Sequence, residues 1–203
     1  ASDVYKRQDA QIRFSALKKI TVAKTNQYYK DIDGVLYTKD GEALIYCPIC
    51  NTGDEDGEIH IPDGVKYISS KAFAHNTGIK KLYLPDSLKL IFESAFSGMD
   101  ELQFVDFGKG IRHIGSENSP GVFRFCHKLK EVIIQEQVKS IGPNAFYNCS
   151  SLQQVKLPEG LEYISKYAFY GTGIKTIHLP VTLYEIGAVS YTHLRAHETC
   201  ADL

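Results

Sequence analysis

A repeat solenoid is the fold class this sequence predicts, and three sets of recurring residues predict it. The first is Ile68, Ile91, Ile114, Ile141, Ile164 and Ile186, separated by steps of 23, 23, 27, 23 and 22 residues. The second is Phe73, Phe96, Phe123, Phe146 and Phe169, each preceded by Ala except Phe123, which follows Val122. The third is Ile79, Leu102, Leu129, Leu152 and Ile174. Three residues later come Leu82, Val105, Val132, Val155 and Ile177, and two later again Leu84, Phe107, Ile134, Leu157 and Leu179. Self-similarity at a nearly fixed period of this length means stacked turns of one structural unit.

Each turn is expected to carry a strand over its L-x-x-V-x-L segment, with the V-x-L pair pointing inward and the residues between facing solvent. The Ile and Ala-Phe marks then close the turn from the other side. A single turn buries too little apolar surface to offset the ordering of its own backbone, so stability has to come from stacking on neighbours. The period and the strand pattern together predict a leucine-rich repeat right-handed superhelix, strand-rich with short helical or irregular turns.

The stretch VKSIGPNAFYNCSSLQQVKLP, residues 138–158, shows the unit most fully. Its Ile141, Gly142, Ala145, Phe146, Cys149, Leu152, Val155, Leu157 and Pro158 resemble, position by position, the BspA-type leucine-rich repeats of bacterial and some protist surface proteins. The resemblance covers about residues 12 to 187. It implies a secreted or cell-surface binding array without cofactor and without enzymatic activity. It does not identify a ligand; the expected partners of a solvent-facing strand ladder are proteins or glycoconjugates, host extracellular material among them.

Taken in order, residues 1–8, ASDVYKRQ, do not fit the repeat and resemble translated adaptor sequence. Residues 9–58 hold a partial repeat and an inserted β-hairpin. Leu17 to Val22, LKKITV, reproduces the strand pattern. GVLY and ALIY then flank Thr38-Lys39-Asp40-Gly41, and Asp-Gly between two β-prone runs predicts a hairpin turn. The longer motif Y-x-x-x-D-G-V-L-Y-x-K-D-G, from Tyr29 to Gly41, also resembles an element that BspA-type proteins insert between repeats. Polar Asn51 to Gly57 predicts a loop. Residues 59–188 make about five to six repeats, of which the 27-residue one carries four extra residues within GSENSPG, predicted to sit on a loop. Residues 189–203 again look like adaptor sequence, beginning where the next Ala-Phe pair is due. The natural protein is expected to continue on both sides.

A formal net charge of -1 and a pI near 6.7 leave no electrostatic footprint for nucleic acid or an anionic membrane. No run approaches the roughly 18 apolar residues of a membrane span. A composition of 43% hydrophobic and 23% charged residues suits a continuous solenoid core rather than a disordered chain.

Candidate chemistry is sparse. Cys47-Pro48-Ile49-Cys50 has the C-x-x-C spacing of zinc sites and thiol oxidoreductases, with His60 as one further ligand candidate. A structural pair is the favoured reading, and a local disulfide, metal binding or thiol activity are the alternatives. Cys126 and Cys149 lie one repeat apart and are expected to pack inward as small hydrophobes. His193, His197 and Cys200 have metal-ligand spacing but fall inside the adaptor-like tail, which discounts them. His113, His127 and His178 occupy unrelated repeat positions, as solvated or capping residues would. There is no nucleophile elbow, phosphate loop or supported carboxylate pair.

The candidate binding surface is the outward face of the strand ladder: Lys81 and Tyr83, Phe104 and Asp106, Glu131 and Ile133, Gln154 and Lys156, Thr176 and His178. Tyr83, Phe104 and Ile133 are apolar where a merely solvated strand prefers polar residues. In three consecutive turns about 4.8 Å apart they would form one rimmed patch. Ligand contacts are therefore expected at Tyr83, Phe104, Asp106, Glu131, Ile133, Lys156 and His178. The rival reading is a structural spacer that extends another domain from the cell surface.

Overall fold

The structure, a computed structural model, describes residues 15–187. Strand, turn and loop alternate throughout, and no helix occurs among the described residues. The turns are thus of the irregular kind. The adaptor-like residues 1–8 and 189–203, with His193, His197 and Cys200, lie outside the described residues.

The array opens on a three-stranded meander. β1 (Tyr29–Ile32), β2 (Val35–Thr38) and β3 (Ala43–Tyr46) pair antiparallel in that order. The predicted hairpin is the β2–β3 pair. The β1–β2 hairpin comes in addition, closed by Asp33 and Gly34, both with positive φ (50° and 80°). Asp-Gly at a two-residue turn suits this geometry because its twist matches that of the flanking strands. β3 then runs parallel to β5 (Tyr67–Ile68), and β5 to β7 (Leu90–Ile91), so the meander is built onto the first ladder of the solenoid.

Two further parallel ladders follow. β4 (Glu58–His60), β6 (Lys81–Tyr83), β8 (Phe104–Asp106) and β10 (Glu131–Ile133) form the strand face expected from L-x-x-V-x-L. β9 (His113–Ile114), β11 (Ser140–Ile141), β12 (Tyr163–Ile164) and β13 (Glu185–Ile186) continue the Ile side. The Ile ladder is interrupted between β7 and β9, in the turn that carries the GSENSPG insertion, where Ser116 and Ser119 form a bridge of their own.

A third side is held without strands. In each turn the residues around Ala-Phe donate to the next turn: Phe73 N to Ala95 O, Phe96 N to Val122 O, Phe123 N to Ala145 O and Phe146 N to Ala168 O, all at 2.7–2.9 Å. Left-handed residues bracket this segment. Lys71, Ser94, Gly121, Asn144 and Tyr167 lie two before the Phe, and His75, Gly98, Phe125, Asn148 and Gly171 two after. The alternation bends the chain tightly enough to turn the corner without a helix.

The core follows the three recurring sets. The five Phe rings stack down its length at centroid separations of 5.0, 4.8, 5.7 and 5.4 Å. Phe107 adds edge contacts to Phe123 and Phe146. Cys126 and Cys149 are buried, their thiols donating to Phe96 O and Phe123 O at 3.1 Å. Two repeats before Cys126 the same column holds Asn76. Its buried amide donates to Pro48 O and Asn51 O and accepts from Gly78 N and Ile79 N, which satisfies all of it and ties the 47–51 segment to the array.

Three segments differ from expectation. Leu17 to Val22 forms no strand; its amides bond instead to the β1–β2 hairpin, Ile20 N to Gly34 O and Val22 N to the Asp31 carboxylate. The segments 154–156 and 176–178 also lack strand pairing, so the face ladder stops at β10. In the last described turn Leu179 is 43% exposed rather than inward, because no described turn is stacked beyond it.

Candidate functional site

The strand face is two-sided by geometry. Ile59, Leu82, Val105 and Val132 occupy the inward row, from which Leu82 and Val105 are wholly excluded from solvent. Strand register sets the outward residues in two rows. One contains Glu58, Lys81, Phe104 and Glu131; the other contains His60, Tyr83, Asp106 and Ile133.

Within these rows the rings meet. His60 and Tyr83 stack face to face at 4.2 Å and 1°, and Tyr83 meets Phe104 diagonally at 5.5 Å. Tyr83 and Phe104 are half-buried by one another, while Ile133 stands 37% exposed at the end of the ladder. The apolar residues thus zigzag across the two rows. His60 belongs to this patch; the sequence offers it only as a metal-ligand candidate, although counting one 23-residue step back from Tyr83 reaches it.

Charges rim the patch. Lys81 Nζ pairs with Glu58 Oε1 at 2.6 Å, and that hydrogen bond raises the ammonium's pKa above its ordinary value. His60 Nε2 lies 3.8 Å from Glu58 Oε2. Asp106 is held in place, its Oδ1 accepting from Gly108 N at 3.1 Å and from Gln135 Nε2 at 3.2 Å. The structure therefore brings together Tyr83, Phe104, Asp106, Glu131 and Ile133. Lys156 and His178 are exposed but off the ladder. Beyond β10 a cavity of about 880 Å³ opens, with Glu131 and Ile133 on one wall and Gln154 and Lys156 on the other.

The C-x-x-C pair has no such setting. Cys47 and Cys50 are free thiols, Cys47 buried in the core and Cys50 half-buried, with its sulfur 3.7 Å from Ser15 O. Burial pushes the Cys47 thiol far above its ordinary pKa, which leaves it little thiolate for nucleophilic chemistry. No cluster of three metal-ligating side chains occurs among the described residues. No helix among them is long and apolar enough to cross a membrane.

Comparison with known proteins agrees with this architecture. A leucine rich cell surface protein of Faecalibacterium prausnitzii A2-165 is 28% identical, with a TM-score of 0.69 over 93% of this chain and 46% of that one. A leucine-rich repeat protein of Bacteroides ovatus ATCC 8483 is 29% identical, with a TM-score of 0.60 over 72% of this chain and 36% of that one. The pneumococcal vaccine antigen PcpA is 26% identical, with a TM-score of 0.55 over 85% of this chain and 37% of that one. The chain thus spans half or less of the length of these three structures. Among curated proteins none matches it. The family model for the BspA type leucine rich repeat region matches residues 55–119 and 118–198, in six copies. That match spans well over half of the sequence, and the chain belongs to the BspA type leucine rich repeat proteins.

Proposed function

We propose that the array is a non-enzymatic, adhesion-type binding module, secreted or displayed at a cell surface, which engages a protein or glycoconjugate partner through the β4–β6–β8–β10 face. The observation that carries this reading is the zigzag of His60, Tyr83, Phe104 and Ile133 over four adjacent strands, with ring contacts from His60 to Tyr83 to Phe104 and with Glu58, Lys81, Asp106 and Glu131 as the rim. Aromatic anchors with a polar rim are how interfaces concentrate binding energy, and ring stacking presets these side chains so that little rotamer entropy is lost on docking. The description of the Faecalibacterium protein as a cell surface protein supports the location.

Purified host extracellular proteins and glycoproteins, immobilised and titrated with the array, supply the test. For the partner that binds, Phe104→Ala is expected to cost about 2 kcal/mol or more of affinity with an unchanged thermal midpoint, and Tyr83→Ala to act in the same direction. Unchanged affinity in both variants would remove this face from the interaction. Failure of every partner to bind would favour the spacer reading.

A further inference from the structure

The turn side of the array carries a second aromatic cluster, on a different face from the strand ladder. Phe125, Tyr147, Tyr167 and Tyr170, with Arg124 and Asn144, line a cavity of about 580 Å³ across three successive turns. Tyr147 and Tyr170 stack at 5.1 Å and 17°, making one flat wall. Phe125 stands at 87° to Tyr147, and Tyr167 at 81° to Tyr170, so two further rings form side walls. The Arg124 guanidinium lies 4.7 Å over the Phe125 ring. Its stem crosses Gly121, where a Cβ would stand 2.7 Å from Arg124 Cδ.

Two observations set this cluster apart from ordinary surface. Phe125 (φ 63°) and Tyr167 (φ 58°) sit in two left-handed columns that the other turns fill with glycine or with polar side chains such as Ser94 and Asn148. A bulky residue there is strained where glycine is not, so the fold alone gives no reason for an aromatic ring at either place. The second is charge. No acidic side chain lines the cavity, and no ion pair to Arg124 occurs among the described residues.

We infer that this cavity binds a carboxylate-bearing pyranose, the terminal acidic sugar of a glycan. A pyranose has an apolar C–H face that packs on flat aromatic walls and a hydroxyl edge for the phenolic oxygens and the Asn144 amide. A carboxylate would give the Arg124 guanidinium an ionic partner, which it has none of among the described residues, through charge-assisted hydrogen bonds. A cavity of this size falls at the small-ligand end of binding sites and suits one or two sugar rings better than a protein segment. Rigid tyrosine walls lose little entropy when the sugar docks.

The test titrates the full chain with sialyllactose and glucuronic acid beside neutral lactose, read by saturation-transfer NMR and by fluorescence of the tyrosines, which dominate because the chain has no Trp. The acidic sugars are expected to bind at least about tenfold more tightly than lactose, and Arg124→Gln to abolish that preference by a similar factor. Arg124 is exposed, so its variant should keep the wild-type thermal midpoint. Tyr170→Ala should weaken all sugars, and Phe104→Ala should weaken none. Equal binding of acidic and neutral sugars, no binding of any, or an effect of Phe104→Ala equal to that of Arg124→Gln would each overturn the assignment. The first two outcomes leave the strand face untouched, since its own test uses immobilised macromolecules, whereas an effect of Phe104→Ala would move sugar binding to that face.

Discussion

At the scale of single residues, the core is a column of rings whose inner members, Phe96, Phe123 and Phe146, are clamped from two sides. Phe146 stacks on Phe123 at 5.7 Å and on Phe169 at 5.4 Å, with the edge of Phe107 at 6.5 Å. Phe146→Ala is therefore expected to destabilise by about 3 to 5 kcal/mol in chemical denaturation, since neighbours fixed by their own turns have little freedom to collapse into the cavity. The buried thiols set a pH dependence. Burial raises the pKa of Cys47, and burial with the Cys126 hydrogen bond raises that of Cys149. The folded chain then keeps protons that the unfolded chain releases above about pH 8.5, so stability present below that pH should be lost as pH rises through it. Melting curves from pH 7 to 10 check the sign, and replacement of both thiols by Ala should flatten the slope. The inward placement of Cys126 and Cys149 was legible from their column in the repeat. The fourfold hydrogen bonding of Asn76 was not, because its carbonyl partners Pro48 and Asn51 lie outside the repeat register.

At the scale of elements, periodicity identifies which residues point inward but not which neighbouring turns hydrogen-bond. Leu82 and Leu84, Val105 and Phe107, and Val132 and Ile134 all enter the core as the pattern requires, whereas strand pairing ends at β10 although Val155 and Leu157 keep the same pattern. Apolar alternation reports burial, which one chain's sequence encodes. Ladder bonds depend on the spacing of two turns, which it encodes only indirectly. The meander shows the converse, since Asp33-Gly34 is a hairpin signal as strong as Asp40-Gly41 and marks a strand that the repeat pattern hides. Gly34 also lies against the 17–22 segment, where a Cβ would stand 2.5 Å from Lys19 Cβ at a φ of 80°. Gly34→Ala should cost about 1 to 3 kcal/mol through strain and displacement. Amide exchange should show the loss in β1, β2 and residues 20–22, leaving β8 and β10 protected.

At the scale of the whole molecule, the array is a scaffold with three hydrogen-bonded sides and two aromatic clusters on different ones. The strand-face patch was visible in the sequence through Tyr83, Phe104 and Ile133, because strand residues alternate strictly and a misplaced apolar side chain stands out. The turn-face cluster was not, since left-handed residues around Ala-Phe break any simple alternation and send Phe125, Tyr147 and Tyr170 outward beside inward neighbours. Binding through the β4–β6–β8–β10 face, as proposed, is tested most directly by hydrogen exchange on the complex with a captured partner. Protection centred on Glu58–His60, Lys81–Tyr83, Phe104–Asp106 and Glu131–Ile133 is the predicted result, while protection confined to the 51–57 loop or the 115–121 insertion would contradict it.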